Sequence, residues 1–255
     1  ARQMLAQPRK AYVLLGAEPE LDAFDSAQAE AAMKQAEFVV ALSAYQHHAL
    51  DYAHVLLPIA PFTETSGTFV NTEGRAQAFS GVVLPLAETR PAWKVLRVLG
   101  NLAGLAGFDY DSSEAVRKDA LGDGSVAPRL DNALSGKPQG GADAPVAGVQ
   151  RIGEVSIYQA DAVVRRAPSL QKTRDGGQPV ATLAGVLYDK LGLRDGDSVR
   201  IAMGSAAVVL PALRDDKLPA ACVRVPVGHP ATAGLGGLFG EVTLERVAAA
   251  QKVAV

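Results

Sequence analysis

The densest group of side chains able to do chemistry lies around two glycines. It is the run Phe62-Thr63-Glu64-Thr65-Ser66-Gly67-Thr68-Phe69-Val70-Asn71-Thr72-Glu73-Gly74-Arg75. Hydroxyl, amide, carboxylate and guanidinium groups follow a short apolar run there. A loop of that kind can turn backbone N–H groups and Arg75 toward a phosphate or a nucleotide-like ligand. The same residues also build tight turns, with Glu64, Asn71 and Glu73 satisfying nearby backbone groups.

The other reactive residues are sparse. The four histidines, His47, His48, His54 and His229, have no ligand spacing that a metal would use. Cys222, the only cysteine, sits in a strand-like run and reads as a structural thiol. One cysteine excludes an intramolecular disulfide, and no iron–sulfur cluster can be held by thiolates within this chain. Ser66 lacks a nucleophile-elbow context. Gly234-Leu235-Gly236-Gly237 precedes no strand-to-helix turn, so it reads as a flexible loop. Arg165-Arg166 can pair with a carboxylate, a phosphate or solvent.

The elements that must carry these residues change character along the chain. Tyr12–Leu15, Phe38–Leu42 and Val55–Leu57 read as buried strands, and Ser26–Glu37 as a crossover helix with Ala27, Ala31 and Met33 inward. That spacing predicts βαβ units, whose ligand loops lie at the carboxyl ends of the strands. Pro91–Leu105 predicts an amphipathic helix, packed into the core through Trp93 with Leu96, Gly100 and Ala103 on its stripe. Asp111–Val149 loses periodicity and reads as a linker or insertion. Beyond it, Val155–Tyr158, Ser198–Ala202, Ala207–Leu210, Cys222–Val227 and Val242–Leu244 read as short strands, interrupted by a helix over Val180–Leu191. This pattern predicts a small closed β-barrel.

Composition agrees with a globular protein. The 255 residues are 48% hydrophobic and 20% charged, with a formal net charge of −2. The 25 glycines and 15 prolines point to many turns rather than a helical bundle. The charge balance gives no reason to invoke nucleic acid, and no apolar run is long enough to insert into a membrane.

Taken together, the residues are more specific than any single motif. Ala53-His54-Val55-Leu56-Leu57-Pro58 flowing into Phe62–Arg75 resembles the hallmark segment of the molybdopterin oxidoreductase superfamily. Tyr158 through Arg166-Ala167-Pro168-Ser169-Leu170, then Leu191–Val199, resembles that superfamily's C-terminal dinucleotide-binding barrel. Within the superfamily, Gly81–Leu86, Glu88–Asn101 and Val225–Pro230 are similar to one branch. That branch is the large iron–sulfur subunit of the peripheral arm of bacterial NADH:quinone oxidoreductase, respiratory complex I.

The resemblance implies an α/β fold: a partial parallel-sheet molybdopterin-oxidoreductase-like domain over residues 1–110, then a linker or insertion over 111–150. A double-psi-like β-barrel over 151–248 and a tail over 249–255 complete it. It implies the C-terminal portion of a longer subunit, with iron–sulfur clusters in an N-terminal part and no catalytic or metal-ligating residue here. Thr65, Gly67, Asn71 and Arg75 become the vestige of a cofactor-facing loop, with no molybdopterin expected. The implied partners are other peripheral-arm subunits and the N-terminal part of the same subunit, at the cytoplasmic face of the bacterial inner membrane. No NADH oxidation is expected from this chain alone. Two other readings stay open: the cofactor-binding C-terminal part of a molybdenum or tungsten oxidoreductase such as a formate dehydrogenase-like enzyme, or a small-ligand binding protein using Gly234–Gly240.

Overall fold

The computed structural model of the chain describes residues 1–122, 126, 129, 130 and 147–248. A short helix α1 (Arg2–Ala6) leads into strand β1 (Ala11–Leu15), followed by α2 (Pro19–Asp22) and α3 (Ser26–Gln35). Asp25 caps α3 by accepting the Gln28 N–H, as a short side-chain oxygen at a helix start does. Met33 is buried as expected, but Ala27 and Ala31 face solvent. The buried stripe is Ser26, Ala29, Ala32 and Met33, which follows the three- and four-residue repeat more faithfully.

Strand β2 (Phe38–Ser43) pairs in parallel with β3 (Val55–Pro58), and the three strands lie in the order β1-β2-β3. Lys10 accepts from Glu37 and Phe38 at one end, and Gly16 donates to Leu42 at the other, so β1 runs the same way. A hairpin of β4 (Gly67–Val70) and β5 (Ala76–Phe79) comes next, then α4 (Ala92–Leu102) and α5 (Ser113–Leu121).

The helix α4 corrects an expectation. It starts beside Pro91 but ends at Leu102, three residues short of the expected Leu105 and just before the positive-φ Gly104, and Gly100 is its only buried residue. Trp93 and Leu96 are half-buried, and Ala103 is exposed. Gly100 is required by packing, because a Cβ there would meet the Phe108 ring at 2.3 Å. The segment expected to lack structure also holds α5, capped by the Ser112 hydroxyl accepting the Ala115 N–H. The rest of that segment, and the expected tail over 249–255, lie largely or wholly outside the described residues.

The second half closes into a six-stranded barrel in the order β10-β6-β11-β8-β9-β7. Its strands are β6 (Val149–Val155), β7 (Ala181–Ala184), β8 (Ser198–Met203), β9 (Ala206–Asp215), β10 (Cys222–Val227) and β11 (Phe239–Val247). Between β6 and β7 lie α6 (Ala162–Arg165) and α7 (Pro168–Gln171). Helix α8 (Gly185–Lys190) follows β7, and α9 (Pro230–Ala233) follows β10. β6–β10 and β7–β9 pair in parallel while the other ladders are antiparallel, so closure leaves no free sheet edge.

Two barrel expectations change. Val180–Leu191 is not one helix: its first half is β7, all four residues buried, and only its second half is helical. The run Ala181-Thr182-Leu183-Ala184 is too short for periodicity to separate strand from helix. Val155–Tyr158 ends a strand rather than forming one, and Ile157–Gln159 makes a single 3-10 turn. Inside the barrel, Leu183, Val199, Ile201, Val223 and Val225 alternate inward with Leu210 and Val242 to form one core.

Chain order and compact units do not coincide. One unit comprises Ala1–Tyr12, Ala17–Phe38 and Ala142–Val255, and the other Val13–Gly16 and Val39–Gly141.

Candidate functional site

Two places carry the polar residues that sequence reasoning singled out. The first is the β4–β5 hairpin. Gly67 lies opposite Phe79, and a Cβ on Gly67 would stand 2.7 Å from that ring. The ring stacks on Phe69 with centroids 4.8 Å apart, a diagonal cross-strand pair that closes the glycine's face. Asn71 builds the turn: its Oδ1 accepts from the Glu73 and Arg75 N–H groups at 3.1 and 2.9 Å. Gly74 completes the turn in the left-handed region, at φ 76°, as tight hairpin loops require.

The flanking carboxylate is also used locally. Glu64 Oε2 accepts from the Leu86 N–H at 3.0 Å, and Thr65 Oγ1 donates to the Ser66 carbonyl. Thus Thr65 and Gly67 stand at the start of β4, whereas Asn71 and Arg75 stand at its far end. Four residue steps along the strand separate Gly67 from Asn71, a span of about 13 Å. Arg75 is exposed and, with Arg117, lines a hollow beside the turn.

The second place is a buried ion network around Arg165 and Arg166. Glu18, 1% exposed, follows β1 and precedes α2. Arg165 Nη1 donates to Glu18 Oε2 at 3.0 Å, and its Nη2 pairs with Asp22 Oδ1. Arg166 Nη2 lies 2.7 Å from Glu18 Oε1, close enough for an ion pair but off the line of a hydrogen bond. Arg165 Nε donates to the Gln159 carbonyl at 3.0 Å, and Gln159 is tied through its side chain to Gln171. Of the three partners open to Arg165-Arg166 in the sequence, the structure supplies carboxylates.

Sequence reasoning does not single out Glu18, Asp22 or Arg151. The available signal is chemical: two adjacent arginines in a weakly charged chain need counter-charges, and Gly16-Ala17-Glu18-Pro19 offers one directly after a strand. Arg151 has no such signal. It is 1% exposed, its Nη1 donates to the Gly237 carbonyl at 2.7 Å, and its Nε has no partner among the described residues. Burial lowers its pKa, opposed by the charge of Asp25. It fastens the Gly234–Gly240 loop to β6, and Gly236 in that loop has φ 75°.

The histidines act locally. His47, His54 and His229 each accept a backbone N–H at Nδ1, while His48 pairs with Asp51. No group of three metal-ligating side chains occurs among the described residues. Cys222 is half-buried on β10. A hollow of about 450 Å³ opens on the barrel near His229, Arg224 and Glu154, where Arg224 and Glu154 already pair at 3.3 Å.

These donors do not fit a molybdopterin dinucleotide, which is anionic through its phosphates and needs several convergent free donors. Asn71 is spent on its turn with Arg75, Gly67 is closed by an aromatic ring, and Arg75 stands at the far end of β4 from Gly67. Arg165 and Arg166 already share carboxylates.

Comparison with known proteins places the chain in context. Residues 1–102 match the family described as Molybdopterin oxidoreductase. Over 90 residues, 34% of this chain, it is 41% identical to the mitochondrial NADH-ubiquinone oxidoreductase 78 kDa subunit of Candida albicans, covering 12% of that protein. It is also 32% identical over 111 residues, 44% of this chain, to the probable oxidoreductase YjgC of Bacillus subtilis. A putative formate dehydrogenase of Staphylococcus aureus is 34% identical over 82 residues, 32% of this chain. The chain covers 11% and 8% of the latter two. Among solved structures, acetylene hydratase from Pelobacter acetylenicus superposes with a TM-score of 0.63 over 96% of this chain and 46% of that one, at 15% identity. That likeness establishes a shared fold: α/β elements followed by a small barrel.

Proposed function

We propose that this chain is a structural and subunit-interaction portion of the peripheral arm of a proton-pumping NADH:quinone oxidoreductase, specifically of the large iron–sulfur subunit of a bacterial complex. The single observation that carries this reading is the 41% identity with the complex I 78 kDa subunit. The chain spans about a tenth of that relative, so the whole protein's activity is assigned to redox centres outside it. Electron transfer through an iron–sulfur cluster needs several thiolates, and Cys222 is one. In this reading the clusters lie in the N-terminal part of the same subunit, and the arm docks at the cytoplasmic face of the inner membrane. No described helix is long and apolar enough to cross a membrane.

A surface feature supports the interaction role. Val82, Val83, Leu84 and Leu86 form one apolar run, with Leu84 89% exposed. A contiguous apolar stretch of this kind marks an interaction surface rather than ordinary surface. Peripheral-arm subunits and the N-terminal part of the same subunit are its proposed partners.

A second reading rests on the 34% identity with a putative formate dehydrogenase. There the chain would form the C-terminal part of a molybdenum or tungsten oxidoreductase, with the metal cofactor supplying the redox chemistry. Its own donors do not fit that cofactor. The deciding experiment purifies the native protein that contains this segment. Co-migration with NADH:quinone oxidoreductase activity on a native gel, with iron but neither molybdenum nor tungsten, is expected. Stoichiometric molybdenum or tungsten in a particle lacking that activity would overturn the first reading and support the second.

A further inference from the structure

We propose that Arg165 and Arg166 form an oxyanion site whose occupant is the chain's own Glu18 carboxylate. The two guanidiniums come from consecutive residues and take one oxygen each, Arg165 Nη1 on Oε2 at 3.0 Å and Arg166 Nη2 on Oε1 at 2.7 Å. Two cations on the two oxygens of one carboxylate is the arrangement that binds carboxylate and phosphate ligands.

The arginines are held by their own segment, not by Glu18. Arg165 Nε is anchored on the Gln159 carbonyl at 3.0 Å, and Arg166 Nη1 on the Ala162 carbonyl at 3.0 Å. Gln159 is fixed in turn by Gln171, whose Nε2 donates to the carbonyls of Tyr158 and Val164. Every one of these contacts lies within residues 158–171. The carboxylate arrives from 147 residues away, positioned by Asp22 accepting the Glu18 N–H at 2.7 Å. A site preorganised by one segment and filled by a group from another behaves as a receptor with a tethered ligand.

Asp22 shares Arg165 and also lines a cavity of about 260 Å³, so solutes approach to within one ion pair of the site. With Glu18 seated, phosphate-bearing ligands are excluded by occupancy and by the negative charge of Glu18 and Asp22. With Glu18 removed, the two guanidiniums lose the carboxylate they share, and a small oxyanion from solution takes the vacated place. The site is independent of the complex I reading, since it involves only contacts within this chain.

The test is chemical rescue on the full 255-residue chain. Glu18→Ala should lower Tm by about 10 °C, because it strands buried positive charge. Acetate, phosphate or pyrophosphate at tens of millimolar should recover roughly half of that loss, saturably. Chloride at equal ionic strength should not, and none of these anions should shift the wild type. Glu18→Ser, a second vacating variant should Glu18→Ala fail to fold, should gain the same anion-specific rise in Tm. Adding Arg166→Met to either variant should abolish the anion effect. Equal anion shifts in wild type and variants, or no anion-specific shift in either vacating variant, would overturn the proposal.

Discussion

The barrel and the α4 region solve the same packing problem to different degrees. In the barrel, apolar residues alternate inward from strands that leave no edge, and Leu183, Val199, Ile201, Val223 and Val225 are completely buried. Helix α4 has the more regular apolar stripe, yet only Gly100 is buried and Leu102 is 81% exposed. The difference shows that amphipathic pattern states what an element can bury, whereas closure decides what it does bury. The barrel strands bury their inward residues against one another. Helix α4 leaves Val98, Leu99 and Leu102 exposed among the described residues.

The comparison is broken most severely by a cavity in the barrel. Leu183→Ala should destabilise the chain by about 2–5 kcal/mol, since a fully buried leucine loses both transfer energy and contacts that rigid strands cannot restore. Urea unfolding followed by circular dichroism measures it, and a loss below about 1 kcal/mol would show that the barrel core yields as easily as a surface helix. Trp93→Ala sharpens the other side. Sequence reasoning, which takes Trp93 as a core residue, sets its cost at about 3–5 kcal/mol. Half-burial reduces that to about 1–2 kcal/mol on area alone. A cost equal to that of Leu183→Ala would mean that α4 is as deeply integrated as the barrel.

What is legible in the sequence follows the same division. Strand positions β1, β2, β3, β8 and β10 are readable because short apolar runs bounded by turn residues have few alternatives. The closed barrel is readable in kind but not in count. Two of its six strands are hidden: β6 covers Val149–Val155 rather than Val155–Tyr158, and β7 is Ala181-Thr182-Leu183-Ala184, masked by small residues and its helical neighbour Gly185–Lys190. At the hairpin, a ligand-facing loop and a set of turns both stay open from sequence. The Asn71 side chain bonded to two backbone N–H groups gives the turn a physical builder. The Glu18–Arg165 contact has only a need for counter-charge as its sequence signal, because nothing local links residues 147 positions apart.

A pH experiment probes a smaller difference on the barrel. His229 Nδ1 accepts the Ala231 N–H at 3.1 Å, and burial lowers the imidazole pKa from its ordinary 6.5. A histidine with a depressed folded pKa binds fewer protons folded than unfolded in the interval between the two values. Its contribution is therefore complete above about pH 6.5 and is lost as the pH falls toward the folded value. His229→Asn should flatten the acid limb of a stability–pH curve below about pH 6.5, leaving the curve above that point parallel to wild type. An unchanged acid limb would show that another group governs it.

The smallest effect is expected where the apolar surface is most open. Leu84→Ser removes a large side chain that is 89% exposed, in a run where Val82 is also 81% exposed. Substitutions at positions without buried contacts change stability by no more than about 0.5 kcal/mol. The same urea titration that registers Leu183→Ala should therefore find Leu84→Ser indistinguishable from wild type. Its effect should instead appear as weaker co-purification of the segment with the proposed peripheral-arm partners. A stability loss above about 1.5 kcal/mol, comparable with burying and then deleting a leucine, would place Leu84 inside a packed interface of this chain and remove it from the interaction surface.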